Sequence, residues 1–158
     1  NVQSLSGEVI SYGVKMLDAP SEWRETMGEG VKVGVIDTGV DYNHEDLKGR
    51  IKKVANFTNE PDIDPNGHGK HVCGIIGANK NNIGVVGVAP RCDLFVAKAF
   101  GEKGNADTDS IYQSVMWLID ENVDVETLKN IIDNGVGCRE INSNVAIAQL
   151  VDFLHPII

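Results

Sequence analysis

A chain of 158 residues with 42% hydrophobic side chains has room for one core of ordinary size, burying roughly 70% of its unfolded surface. Its 23 acidic residues outnumber 14 basic ones, for a net charge of -9 spread along the chain; this excludes a nucleic-acid-binding role and leaves cations as the more natural partner. Three cysteines, Cys73, Cys92 and Cys138, form no paired spacing and argue against a disulfide framework or zinc knuckle, while no apolar run reaches the roughly 20 residues needed to span a bilayer, so no membrane partner is expected.

The start, NVQSLSGEV, lacks the basic and apolar regions of a signal peptide. The chain is expected to be soluble. Its unpaired cysteines favour the cytoplasm, and since it opens at Asn1, secretion after processing stays open. Seventeen glycines against 6% aromatic residues suggest tight turns and close backbone approaches. APSEWRETMG, residues 19–28, reads as a short helix ending in turn residues. VKVGVI, residues 31–36, is a β-branched run between glycine and Asp-Thr-Gly, the pattern of a strand buried on both faces of a parallel sheet.

RIKKVANF, residues 50–57, reads as a second strand, and the polar TNEPDIDPNG after it as a surface loop. HGKHVCGIIGA, residues 68–78, is small and apolar enough for a tightly packed helix. Each glycine inside it costs about 1 kcal/mol relative to alanine, so close packing or close approach of a substrate must compensate. NKNNIGVVGVAP reads as a loop and CDLFVAKAF as a buried strand. DTDSIYQSVMWLIDENV is a helix with Ile111, Val115, Leu118 and Ile119 on one face and Asp107 or Thr108 as N-cap. The alternation predicts an α/β fold: a doubly wound, mainly parallel sheet with helices on both faces.

Three blocks stand in order: VKVGVIDTGVDYNHEDL around Asp37, NGHGKHVCGIIGA around His68, and NNIGVVGVAP over residues 81–90. Asp37 falls at the carboxyl end of its strand, where open α/β sheets place catalytic groups, but alone it reads equally as a turn cap. A lone histidine is most often structural, the reading preferred for His71. His-x-x-His with an aspartate nearby also admits a metal site, though without the glutamate of the His-Glu-x-x-His pattern. Together the blocks resemble the subtilisin-like serine proteases (subtilases, peptidase family S8), over about the first 125 residues. Where that family usually has His-Gly-Thr-His-Val-Ala-Gly, this chain carries Lys70 and Cys73 in place of Thr and Ala.

The resemblance implies a subtilisin-like endopeptidase domain acting on polypeptides. Asp37 would orient the histidine and His68 would be the general base. It implies a structural calcium ion held by side chains of Glu8, Asp46 and Asn81 and backbone oxygens of Asn79, Ile83 and Val85, with Glu8 standing where the family has glutamine. It further implies that Phe100, Gly101, Gly104 and Asn105 line an edge along which an extended peptide adds as a strand.

The resemblance stops near Val125. The family's Asn-Met-Ser-Leu-Gly strand end, its oxyanion asparagine and its Gly-Thr-Ser-Met-Ala nucleophile motif do not occur in these 158 residues. Residues 1–125 are therefore expected to be the N-terminal part of such a peptidase domain, and residues 126–158 a divergent helical tail packing on it. That tail reads as a helix closed by Gly135 and a second up to Pro156, with Ser143 as an N-cap rather than a nucleophile. Val145, Ile147, Leu150, Val151, Phe153 and Leu154 would cover the sheet's open edge and apolar face. Lacking an attacking oxygen, the chain alone is expected to be inactive; the alternatives are a non-catalytic peptide- or calcium-binding module, or half of a protease completed by a complementary C-terminal part.

Overall fold

The computed structural model describes residues 7–124. The expected tail helices, the Ser143 cap, the covering apolar residues of 145–154 and Cys138 lie outside the described residues.

Three parallel strands, β2 (Lys32–Asp37), β3 (Ile51–Asn56) and β5 (Asp93–Lys98), form one sheet in the order β2-β5-β3. The β2–β5 pairing runs in unbroken register from Lys32 opposite Asp93 to Asp37 opposite Lys98, so both strands end together at the carboxyl edge. β5 is flanked on both sides, and its apolar run Leu94 to Ala97 is buried. Strands in that position bury both faces and lose the apolar/polar alternation.

Alternate residues of the strands point to opposite layers. Val33, Val35, Leu94 and Val96 meet Val72 and Cys73 of α3 (His68–Gly77) on one side. Phe95 and Ile36 meet Val115 and Leu118 of α4 (Thr108–Asp120) on the other. Helices thus cover both faces, and the chain is doubly wound as its sequence pattern predicts. After α4 the chain turns back to the free side of β2, where the Asp124 N–H donates to the Lys32 carbonyl and the Asp124 carboxylate accepts from the Lys32 N–H.

Two glycines of α3 explain themselves here. A Cβ on Gly69 would overlap the carbonyl oxygen of Gly39, and one on Gly77 would press within 3.0 Å of the Cys92 sulfur. Close packing of the helix on the strand ends therefore compensates for their cost.

The amino-terminal region differs from its sequence reading. The helix expected over residues 19–28 is one turn, α2 (Ala19–Glu22), preceded by α1 (Tyr12–Met16). Thr26 and Glu29 side chains accept the Gly28 and Met27 N–H groups, and Gly28 adopts φ +89°, so the backbone leaves the helix early. Residues 79–90, read as loop, contain the two-residue strand β4 (Val85–Val86), which pairs in parallel with β1 (Val9–Ile10). A two-residue strand carries no period for a sequence to display.

Candidate functional site

The carboxyl edge of the sheet gathers the polar groups. Asp37 is the last residue of β2 and is 8% exposed. His68 is the first residue of α3, entered through Gly67 at φ +85°. The tight contact of Gly69 with Gly39 sets α3 directly against the turn after β2. As a result His68 Nδ1 lies 2.8 Å from Asp37 Oδ1 and 2.9 Å from Oδ2. The Thr38 N–H also donates to Asp37 Oδ1, at 2.7 Å.

A carboxylate on Nδ1 requires the proton on that nitrogen and leaves Nε2 as the basic atom. The imidazole is 38% exposed and the aspartate side chain 11%, so the base faces outward while its partner is shielded. The arrangement can accept a proton from a group brought to Nε2 and stabilise the resulting imidazolium.

Three further residues of this edge are not singled out by the sequence. The carboxylate of Asp64, in the loop before α3, accepts from Thr38 Oγ1 at 2.8 Å, from the Gly67 N–H at 2.9 Å and from the Lys70 N–H at 2.8 Å. Lys98, the last residue of β5, is fully buried; its ammonium donates to the carbonyls of Pro61 and Ile63, each at 2.9 Å, with the Glu60 carboxylate 3.6 Å away. Glu60 also accepts the Glu102 N–H at 2.8 Å. The available signal was a lysine inside the apolar run LFVAKAF: a buried ammonium needs acceptors, and only the neighbouring loop could supply them.

Phe100, Gly101, Gly104 and Asn105 lie beyond β5 and belong to no strand. The Gly101 N–H donates to the Asn105 carbonyl at 2.9 Å and the Gly104 N–H to the Gly101 carbonyl at 2.8 Å, closing a turn that Asn66 ties down through the Glu102 carbonyl. Gly101 is buried, whereas Gly104 and Asn105 are exposed.

A second polar cluster lies away from the edge. Glu8 accepts the N–H groups of Asn81 and Asn82, both at 2.8 Å. The buried Asp46 accepts the Val85 N–H at 3.0 Å and faces the Asn81 amide at 3.4 Å. Asn81 Oδ1 in turn accepts from the Ile83 N–H at 3.1 Å. Gly84 lets the loop close over this carboxylate, since a Cβ there would overlap Asp46 Oδ2. Two carboxylates and the Asn81 side chain thus meet one loop, with the Asn81 amide N–H rather than its oxygen turned to Asp46 and the Lys80 ammonium 3.7 Å from Glu8. The Asn79 side-chain amide donates to the Lys48 carbonyl at 3.0 Å. Among the described residues no group of three or more His, Cys, Asp or Glu side chains is placed to hold a metal, so such a site would depend on neutral oxygens. His71 is exposed, on the flank of α3.

Cys73 and Cys92 are both fully buried and unpaired. Burial pushes the Cys92 thiol up to about 12, and burial together with the charges of Asp37 and Asp64 raises Cys73 further still. Neither is a nucleophile at neutral pH.

The doubly wound sheet defines an α/β protein, with a carboxylate–imidazole pair at its carboxyl edge. Comparison with known sequences narrows the class. The chain matches the Subtilase family of peptidases (peptidase S8) over residues 28–128, and it belongs to that family. It is 46% identical over 122 residues to the "Intracellular serine protease" of Paenibacillus polymyxa, covering 73% of this chain and 37% of that protein. It is 34% identical over 159 residues to the "Major intracellular serine protease" of Bacillus subtilis (strain 168), covering 86% of this chain and 50% of that protein. It is 40% identical over 122 residues to "Subtilisin Savinase" of Lederbergia lenta, covering 75% and 44%. The chain thus spans half or less of the length of these relatives. Among the described residues no helix is long and apolar enough to cross a membrane.

Proposed function

We propose that this chain carries the aspartate–histidine half of a serine endopeptidase site. His68 would take the proton from a serine hydroxyl as it attacks a peptide carbonyl and return it to the leaving amine, and Asp37 would hold the Nδ1–H tautomer and stabilise the imidazolium. The observation that carries this reading is the bidentate approach of Asp37 to His68 Nδ1 at 2.8 and 2.9 Å. Residues Phe100, Gly101, Gly104 and Asn105, next to the same edge, would contact the polypeptide substrate.

The nucleophilic serine and the oxyanion donor are not among the motifs of these 158 residues. Without the first there is no acyl-enzyme, and without the second the tetrahedral intermediate loses its main electrostatic support. We therefore read this chain as inactive by itself, residues 1–125 being the N-terminal part of the peptidase domain and the serine belonging to a complementary part. Incubation with a fluorophosphonate probe should label no serine of this chain. Labelling that disappears in His68→Ala, with matching loss of peptide hydrolysis, would overturn the inactivity of this chain while supporting His68 as the base.

The cluster of Glu8, Asp46 and Asn81, with backbone oxygens of Asn79, Ile83 and Val85, would hold calcium. When bound, the ion would neutralise the two carboxylates and tie residues 79–85 to the amino-terminal strand, a structural role. A compartment inside the cell is consistent with two buried, unpaired thiols.

A further inference from the structure

The structure assigns Asp64 as a positioning residue for the Asp37–His68 pair: it draws the Thr38 hydroxyl proton away from Asp37 Oδ1, the nearer of the two carboxylate oxygens that face His68 Nδ1, so that this oxygen keeps its share of the bond. This inference rests on the proposed role of Asp37 and His68.

The argument is a count of protons. Thr38 Oγ1 carries one hydrogen and stands between two carboxylates, 2.8 Å from Asp64 Oδ1 and 3.2 Å from Asp37 Oδ1. It also accepts the Gly69 N–H at 3.0 Å. One hydroxyl cannot donate fully to both acids, and the shorter contact takes the proton. Asp37 Oδ1 already accepts the Thr38 N–H at 2.7 Å and the His68 Nδ1–H at 2.8 Å. A third donor on that oxygen would draw its charge away from the imidazole and weaken the bond that fixes the tautomer.

Asp64 is held in place to do this. Its other contacts are the N–H groups of Gly67 and Lys70, which flank His68 in sequence, so one carboxylate grips the entry to α3 and the residue after Asp37 together. The first turn of α3 receives no side-chain cap from its N-cap residue, Gly67. Capping alone would give Asp64 a structural role, and the test must separate the two.

The readout is the low-field proton NMR resonance of His68 Nδ1–H, which reports the strength of its bond to Asp37, recorded on the full chain beside its thermal unfolding. In Asp64→Ala the Thr38 hydroxyl is free to turn to Asp37, and the resonance should move upfield and exchange faster with water. Adding Thr38→Val removes the hydroxyl, and in the double variant the resonance should return toward its wild-type position although the protein is no more stable. A folded Asp64→Ala chain with an unmoved resonance, or a shift that Thr38→Val does not reverse, overturns the inference. If Asp64→Ala does not fold, Thr38→Val in the otherwise unchanged chain decides: with the hydroxyl proton already drawn to Asp64 the resonance should stay near its wild-type position, and a downfield shift overturns the inference. Absence of a low-field Nδ1–H signal in the wild-type chain would instead defeat the Asp37–His68 reading, and this inference with it.

Discussion

At the scale of single residues, chemistry at the sheet edge depends on groups whose environment keeps them silent as much as on those it exposes. Cys73 and Cys92 lie in the same layer as the Asp37–His68 pair, yet burial holds both as neutral thiols. In a Cys138→Ala background, neither should react with a thiol reagent at pH 8 until denaturant unfolds the chain; a native-state reaction on the scale of minutes would contradict this. Lys98 makes the opposite case, a polar group that burial makes indispensable. Replacing it with methionine leaves the Pro61 and Ile63 carbonyls without their donor, at a cost of about 1–3 kcal/mol by urea denaturation. The loop carrying Asp64 should then become more susceptible to proteolysis. The Asp37–His68 pair was legible in the sequence because motif blocks surround both residues; two of those blocks also hold Asp46 and Asn81, whereas Glu8 lies outside them and entered only through the resemblance. Asp64 and Lys98 were not: one sits in a polar run that reads as solvated, the other in an apolar run that reads as pure core. Their roles are set by which carbonyls and hydroxyls the fold brings opposite them, and no local pattern encodes that.

At the scale of elements, the sequence was most informative where a strand or helix has a clear period and a cap. β2, β3, β5, α3 and α4 all fall within a few residues of their expected places, whereas α1, β1 and β4 are too short to show any pattern. The cap of α4 is a case in point. The Asp107 carboxylate accepts the Ser110 N–H at 2.6 Å, and that bond holds its carboxyl below the usual range. A group whose pKa is lowered on folding stabilises the fold above its unfolded value and loses that contribution as pH falls through the folded one. Asp107→Ala should therefore lower the melting temperature at pH 7, and the difference from wild type should shrink as pH drops below about 4. The glycines of α3 predict effects of opposite sign. Gly74 faces open space, so Gly74→Ala should stabilise the chain by about 0.5–1 kcal/mol in urea denaturation through helix propensity and reduced unfolded-state entropy. Gly69→Ala must instead displace the Gly39 backbone, and should lower stability while separating His68 from Asp37. Equal effects of the two substitutions would show that helix propensity, rather than the contact with β2, governs this helix.

At the scale of the whole molecule, two layers are pinned at distant points. The sheet edge is held by polar bonds among Asp37, Thr38 and Asp64 and from Lys98 to the loop before α3, while the amino-terminal strand is held to residues 81–86 by its pairing with β4 and by Glu8, and Asp46 holds the same loop. Glu8 and Asp46 both face that loop, with the Lys80 ammonium 3.7 Å from Glu8. If calcium binds there as proposed, the unfolded chain offers no comparable cluster, so binding adds directly to folding stability. At a free concentration one hundred times the dissociation constant the gain is about 2.7 kcal/mol, which for a chain of this size is roughly 5–11 °C in melting temperature. Calcium should thus raise the melting temperature, chelation should return it, and magnesium, which demands a smaller octahedral shell, should have little effect. Asp46→Asn removes one charge while keeping an acceptor for the Val85 N–H, and in that variant the calcium-dependent increment should largely vanish. An increment that survives Asp46→Asn would place the ion elsewhere, and a melting temperature indifferent to millimolar calcium would mean that the β1–β4 pairing and the hydrogen bonds of residues 81, 82 and 85 to Glu8 and Asp46 hold this region without an ion.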